Sequence, residues 1–208
     1  MALNGITLKF LSSTYLAIGG RPRVLSFGYP DNLGEWERGC ELVSVDLFPH
    51  RGPEVCANLN RSWRDNGLEE FVGAFDLVLD CGTTEHCVNP CQALVNAAAA
   101  CRPGGRVFHH LPVTMVNHGY WNVCPSYLRD FYQTANGFTI EHCELTGGGD
   151  SFATHEQLRW PGDPYGPTQV PPDSLILFIA RRPEPAAAIR LPYCETKWGA
   201  ANPTITEL

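Results

Sequence analysis

Lysine is nearly missing from this chain. Of 15 basic residues only Lys9 and Lys197 are lysines, and neither sits in a basic run. A surface that tracks a nucleic-acid backbone needs clustered cations, so with a net charge of -7 nucleic acid is not an expected partner. Charged residues of both signs reach only 18%, below the usual quarter. No run of 18 apolar residues occurs, so no membrane-spanning helix is expected. Met1 to Gly5 lacks the basic start and long apolar core of a secretory signal. A cytoplasmic, reducing setting is therefore expected, in which the Asn60-Arg61-Ser62 sequon is irrelevant. The nine cysteines, an odd number, are expected as free thiols, most of them packed like small apolar side chains. No C-x2-C pair exists. Cys81, His86, Cys87 and Cys91 lie close in sequence, but no distant second pair accompanies them as in structural zinc sites. No metal is expected, and no cysteine at a helix start sits beside a clear base to act as a nucleophile.

What the chain does have is enough apolar material for one core. Its 208 residues are 44% hydrophobic, which excludes wholesale disorder and fits one domain. The expected layout is a single domain over residues 1–182, with a long loop insertion at 146–172 and a tail at 183–208. Glycine (20) and proline (17) are abundant, so loops must occupy much of the chain.

Short apolar strands alternate with helical stretches. Residues 6–18 read as a helix, 23–28 as a buried strand ending at glycine, and a short helix is expected after Asp31. Residues 41–46 form a second strand closed by an acid, and 55–59 a short third one. Residues 62–72 read as a poor helix interrupted by Gly67. Residues 75–80 (FDLVLD) are apolar enough for a strand buried on both faces. A helix over 87–101 has Asn89 as its cap and Pro90 in its first turn. Pro103-Gly104-Gly105 stops it before a strand at 106–111. A helix from Pro125 to about Ala135 ends at Asn136-Gly137, and strands follow at 138–145 and 174–181. This alternation predicts an α/β fold with a mostly parallel sheet. Ligands of such sheets bind outside the carboxyl ends of the strands, where the strand order reverses.

Two strand ends carry chemistry. Gly28 follows the first strand, where a glycine permits close backbone approach. Asp46 ends the second, where an acid accepts hydrogen bonds from ribose hydroxyls. The loop holds one glycine rather than the three of a dinucleotide fingerprint, which suits a nucleoside without phosphates better than NAD.

The order of strand-Gly loop, strand-Asp, FDLVLDCGTTEHCVNP, Ala-rich helix and CRPGGRVFHHLP resembles class I S-adenosylmethionine-dependent methyltransferases over roughly residues 20–182. Phe75-Asp76, Asp80, Glu85-His86 and Arg102 to Gly105 carry the most specific part. His118 to Phe138 is similar to a segment of small-molecule members. The resemblance implies a Rossmann-like seven-stranded sheet, mostly parallel, with helices on both faces and the last strand antiparallel. It implies S-adenosyl-L-methionine as cofactor. Ser26, Gly28 and Tyr29 would pass its methionine part, and Asp46 and Leu47 its ribose. Asn58 and Leu59 would flank the adenine, and Cys81, Gly82 and Thr83 would line the other side. The chain departs from the family pattern in a degenerate glycine loop. Ser26 replaces the usual acid, Pro30 and Asn32 replace two glycines, and Asn58 replaces an Asp.

The expected activity is methyl transfer to oxygen or nitrogen of a small polar acceptor, natural-product-like or sugar-like. His109 and His110 are adjacent on a strand and so face opposite sides. His110 and His118 are the expected proton acceptors, since imidazole titrates near neutrality. Glu85, Tyr120, Trp121 and Trp160 are expected at the acceptor, with Trp160 and Tyr165 in a lid. The alternative is a catalytically altered methyltransferase-like binding or partner subunit, suggested by the degenerate loop and by Trp198 in the tail. A nucleotide-dependent oxidoreductase is a further alternative, weakened by the missing glycines. A homodimer or a protein partner is compatible with any of these.

Overall fold

The computed structural model describes residues 5–28, 39–147, 150–154, 170 and 172–191. An eight-stranded sheet carries the fold, in the order β3-β2-β1-β4-β5-β8-β6-β7. The strands are β1 Arg23–Phe27, β2 Glu41–Asp46, β3 Val55–Cys56, β4 Phe75–Asp80, β5 Cys101–Pro112, β6 Thr139–Gly147, β7 Asp150–Thr154 and β8 Leu175–Arg181. The pairs β2–β3, β1–β2, β1–β4 and β4–β5 are parallel. β8 runs antiparallel between β5 and β6. The expected seven strands and the antiparallel last one are thus present, and β7 adds an eighth at the edge of β6. It falls inside the segment read from sequence as loop. The rest of that segment from 155 to 169, with Trp160 and Tyr165, lies outside the described residues, as do the helix expected after Asp31 and Trp198.

Strand alternation divides the core between two faces. Leu77, Leu79, Phe108, Leu177 and Ile179 pack on one side with Leu11 of α1 (Gly5–Ile18). Val78, Val107, Leu111, Ile176 and Phe178 pack on the other, against Leu94 and Ala97 of α2 (Pro90–Ala100) and Leu128 of α3 (Pro125–Arg129). α2 begins as its sequence predicts. Asn89 accepts a hydrogen bond from the Gln92 amide, and Pro90 fills the first turn, where its missing N–H costs nothing.

Three local expectations change. Residues 62–72 make two short 3-10 turns, Arg64–Asn66 and Glu69–Phe71, rather than a helix. Gly67 takes a left-handed φ of 70° between them, a conformation that ends a helix. The third strand stops at Cys56 because the following chain turns inward. The Asn58 side chain accepts from the Asn60 amide, and the Asn66 side chain accepts from the Asn58 amide. The helix from Pro125 keeps α geometry only to Arg129, then widens into a π turn over Asp130–Ala135.

That π turn positions the fully buried Tyr132, whose hydroxyl lies 2.6 Å from His109 Nε2. His109 Nδ1 lies 2.9 Å from the Asp80 carboxylate. An ionised carboxylate only accepts, so Nδ1 donates to it. Burial opposes the charge on Asp80, but hydrogen bonds from His109 and Thr84 outweigh it and hold the carboxyl below its ordinary value. We expect Tyr132→Phe, which leaves His109 Nε2 buried without its partner, to cost about 1–3 kcal/mol of stability. The check is a lower urea midpoint at unchanged slope.

Candidate functional site

A cavity of about 440 Å³ opens at the carboxyl ends of β2, β3 and β4. It sits beside the β1–β4 pair, where the strand order reverses. Val45, Asp46, Leu47 and Phe48 line it from the end of β2, Ala57 to Asn60 from beyond β3, and Gly82 and Thr83 from the turn after β4. His86, Cys87, His118 and Arg51 complete it.

The turn after β4 is built by one side chain. Asp80 accepts from the Thr83 and Thr84 amides and from the Thr84 hydroxyl at 2.6 Å. The Thr83 hydroxyl in turn donates to the carbonyl of Phe27 at the end of β1. Gly28, at φ 74°, lies so close that a Cβ there would stand 2.8 Å from that hydroxyl oxygen. Glycine is therefore required at this junction on two grounds, backbone conformation and space. The Ser26 hydroxyl donates to the Gly28 carbonyl at 3.0 Å. Ser26 is buried and does not line the cavity.

Asp46 is almost wholly buried. One of its oxygens accepts from the Phe48 amide at 2.9 Å. The other accepts from Arg51 at 3.3 Å, and that guanidinium also lies over the Phe48 ring. Arg51 is mostly exposed, so the pair is weak and can open. A carboxylate has about four acceptor positions, which leaves Asp46 capacity for a ligand.

Among the residues expected from sequence, the cavity brings together Asp46, Leu47, Asn58, Leu59, Gly82, Thr83 and His118. Tyr29 and Trp160 lie outside the described residues. The Cys81 side chain packs on the α1 side of the sheet instead. His110 is a correction. It is sealed beneath α1, with Nδ1 3.1 Å from the Thr7 hydroxyl, and burial lowers its pKa to about 4. Strand alternation turned it away from the cavity and turned its neighbour His109 inward, to Asp80 and Tyr132. Neither imidazole lines the cavity. Tyr120 and Trp121 are exposed on the loop beside Glu85, with the Trp121 indole donating to the Cys87 carbonyl.

Glu85 lies fully buried behind the cavity wall. Its carbonyl accepts from the Tyr120 amide at 2.8 Å. Its Oε1 lies 3.4 Å from His118 Nε2 and 3.8 Å from His86 Nε2. Neither contact is a hydrogen bond, and both carboxyl oxygens and His118 Nε2 are buried without a partner. Burial, with the Asp80 charge as a lesser cause, raises the Glu85 pKa to about 8. Burial likewise lowers that of His86, assisted by His118. Cys87 is pushed up to about 12, which leaves its thiol inert near neutrality. From sequence, Cys81, His86, Cys87 and Cys91 were weighed as metal ligands and no metal was expected; the structure groups His86 with Glu85 and His118. Arg51, Phe48, Asn60 and Cys87 were not foreseen at the cavity. Only their nearness to Asp46, Asn58 and Glu85 in sequence hinted at it.

An acid whose folded pKa is raised withholds a proton that the unfolded chain releases. The Glu85 contribution to the stability of chelator-treated protein should therefore fall as pH rises from 4.5, the ordinary Glu value, to about 8, while the lowered pKa of His110 adds the opposite trend in every variant. The limiting slope is about 1.4 kcal/mol per pH unit. Glu85→Gln carries no titrating group and should lack that fall, as read from urea unfolding across this range.

No protein-family model matches this sequence, and no curated protein matches it. Solved structures do. The fold is similar to that of the N-methyltransferase NodS from Bradyrhizobium japonicum, solved with S-adenosyl-L-homocysteine. That likeness has 14% identity, covers 86% of this chain and 89% of that one, and has a TM-score of 0.55. The fold is also similar to that of the Burkholderia thailandensis 1,6-didemethyltoxoflavin-N1-methyltransferase, solved with 1,6-didemethyltoxoflavin and S-adenosylhomocysteine. There the identity is 17%, the coverage 83% of this chain and 76% of that one, and the TM-score 0.52. A putative methyltransferase from Bacillus halodurans matches at 13% identity, over 85% of this chain and 98% of that one, with a TM-score of 0.51. The chain has the Rossmann-like methyltransferase fold.

Proposed function

We propose that the chain is an S-adenosylmethionine-dependent methyltransferase acting on oxygen or nitrogen of a small polar acceptor. The observation that carries this reading is the cavity at the reversal of strand order, with the Asp46 carboxylate on one wall and the Gly82-Thr83 turn on the other. Fold alone hosts many activities, so these residues must themselves suit the cofactor.

They do. The cavity falls within the 300–1,000 Å³ typical of small-ligand sites. Asp46 has acceptor capacity for the paired ribose hydroxyls. Val45, Leu47, Ala57 and Leu59 give a largely apolar wall for a purine face. The Asn58 side-chain oxygen accepts from the Asn60 amides in folding its own turn, which leaves the Asn58 side-chain NH2 as a donor for the purine edge. Gly28 and Thr83 keep β1 and β4 close enough to form one floor.

When bound, S-adenosylmethionine supplies an electrophilic methyl group on a sulfonium sulfur. The chain's contribution is positioning and exclusion of water. Asp46 fixes the ribose. The turn made by Asp80 holds Gly82 and Thr83 against the ligand. His118 borders the cavity and can take a proton from an acceptor O–H or N–H. Tyr120 and Trp121 offer aromatic surface on the adjoining loop for a ring-bearing acceptor. The enzymes similar in fold support a small acceptor, since one of them is held with 1,6-didemethyltoxoflavin.

Calorimetry with S-adenosylhomocysteine should show one site per chain. Asp46→Ala should weaken it at least about tenfold, some 1.4 kcal/mol. Absence of binding at millimolar ligand would overturn the reading in favour of a non-catalytic, methyltransferase-like subunit. An unchanged affinity in Asp46→Ala would remove Asp46 from the site.

A further inference from the structure

We infer that Glu85, His86 and His118 form a binding site for a divalent transition-metal ion at the edge of the cavity. One ligand atom from each lies within 4.8 Å of the other two. Glu85 Oε1 stands 3.4 Å from His118 Nε2 and 3.8 Å from His86 Nε2. Bonds of about 2.1 Å to a tetrahedral ion place its ligand atoms about 3.4 Å apart. Glu85 thus stands at metal-ligand spacing from His118 and a few tenths of an ångström beyond it from His86, and neither Glu85 nor His118 is satisfied by a hydrogen bond within the group.

The orphaned atoms point the same way. Both Glu85 oxygens and His118 Nε2 are buried without a hydrogen-bond partner. Such groups are rare in folded proteins and cost free energy when left unpaired. An ion between the three side chains would satisfy the carboxylate and His118 together.

The backbone is arranged to bring them together although His118 lies far from Glu85 in sequence. Glu85 and His86 are neighbours in the turn after β4. The loop carrying His118 is pinned to Glu85 by the hydrogen bond from the Tyr120 amide. Gly119, at φ 117°, lies against the same residue. A Cβ there would meet the Glu85 carbonyl oxygen and Cγ at 2.9 Å. Any other residue at 119 would push His118 away from the carboxylate.

Two imidazoles and one carboxylate suit Zn²⁺, Co²⁺ or Fe²⁺ rather than the all-oxygen shells of Ca²⁺ and Mg²⁺. Three protein ligands leave positions open for water or an acceptor oxygen. Ion binding stands on this geometry alone, whereas the consequence for catalysis rests on the methyl-transfer reading. With the ion bound, the His118 lone pair is committed to it. An acceptor hydroxyl in an open position then gives its proton to solvent more readily, because the ion stabilises the oxyanion.

The test uses the full chain, stripped with a chelator and titrated with Co²⁺ and then Zn²⁺. Calorimetry should show one ion per chain, and cobalt should develop visible d–d bands without sulfur charge-transfer absorption. Glu85→Gln and His118→Ala, each checked for folding by circular dichroism, should weaken binding at least about tenfold. His86→Ala should do the same at the most exposed ligand, where folding is least at risk. No binding at millimolar ion, sulfur-to-cobalt absorption, or unchanged affinity in the variants would overturn the inference. S-adenosylhomocysteine binding by the stripped chain is measured separately. Ion binding without nucleoside binding would sink the methyl-transfer reading and leave the metal site standing, and the converse would sink only the metal site.

Discussion

The Asp80 carboxylate holds four groups at once: two amides, a threonine hydroxyl and the His109 ring. Being fully buried, it is stable as an anion only because all four are in place. Those same bonds fix the turn after β4, and with it Gly82, Thr83 and the start of the segment bearing Glu85 and His86. Through His109 and Tyr132 they also tie that turn to β5 and to the π turn at Asp130–Ala135. The shape of the cavity floor and the packing of the helical face are thus set by one anion.

Much of the sheet was legible because its signals are local. Apolar runs such as FDLVLD and an asparagine followed by proline before an alanine-rich stretch need no distant partner to be read. Failures occurred where a competing local bond or a nonlocal contact decided. Asn58 and Asn66 closed their own turn and cut the third strand short. Gly67 split a nominal helix. β7 was hidden in a glycine-rich stretch because its pairing with β6 supplies the order that its composition does not.

The candidate site was legible in part. Asp46 follows from the rule that strand ends carry ligands, whereas Gly82 and Thr83 came from the family resemblance. The two adjacent histidines did not sort themselves, since alternation says only that they face opposite ways. Which one meets α1 depends on Thr7, some hundred residues away in the chain. The approach of His118 to Glu85 was equally unreadable, because it depends on a loop closing over a glycine. At Gly28, the described part of the first loop, the Thr83 hydroxyl leaves no room for a Cβ.

One wall of the cavity is fastened to a helix. The Trp63 indole donates to the Asn96 carbonyl, the Asn96 amide donates to the carbonyls of Leu59 and Arg61, and the Asn89 amide donates to the Asn60 side chain. Residues 59–63 therefore share the rigidity of α2, whose alanines pack at the centre of the core. A ligand entering here meets a surface whose conformational entropy was already lost on folding. Little of its affinity goes into ordering that side, so a core substitution beneath α2 would loosen the ligand without touching it.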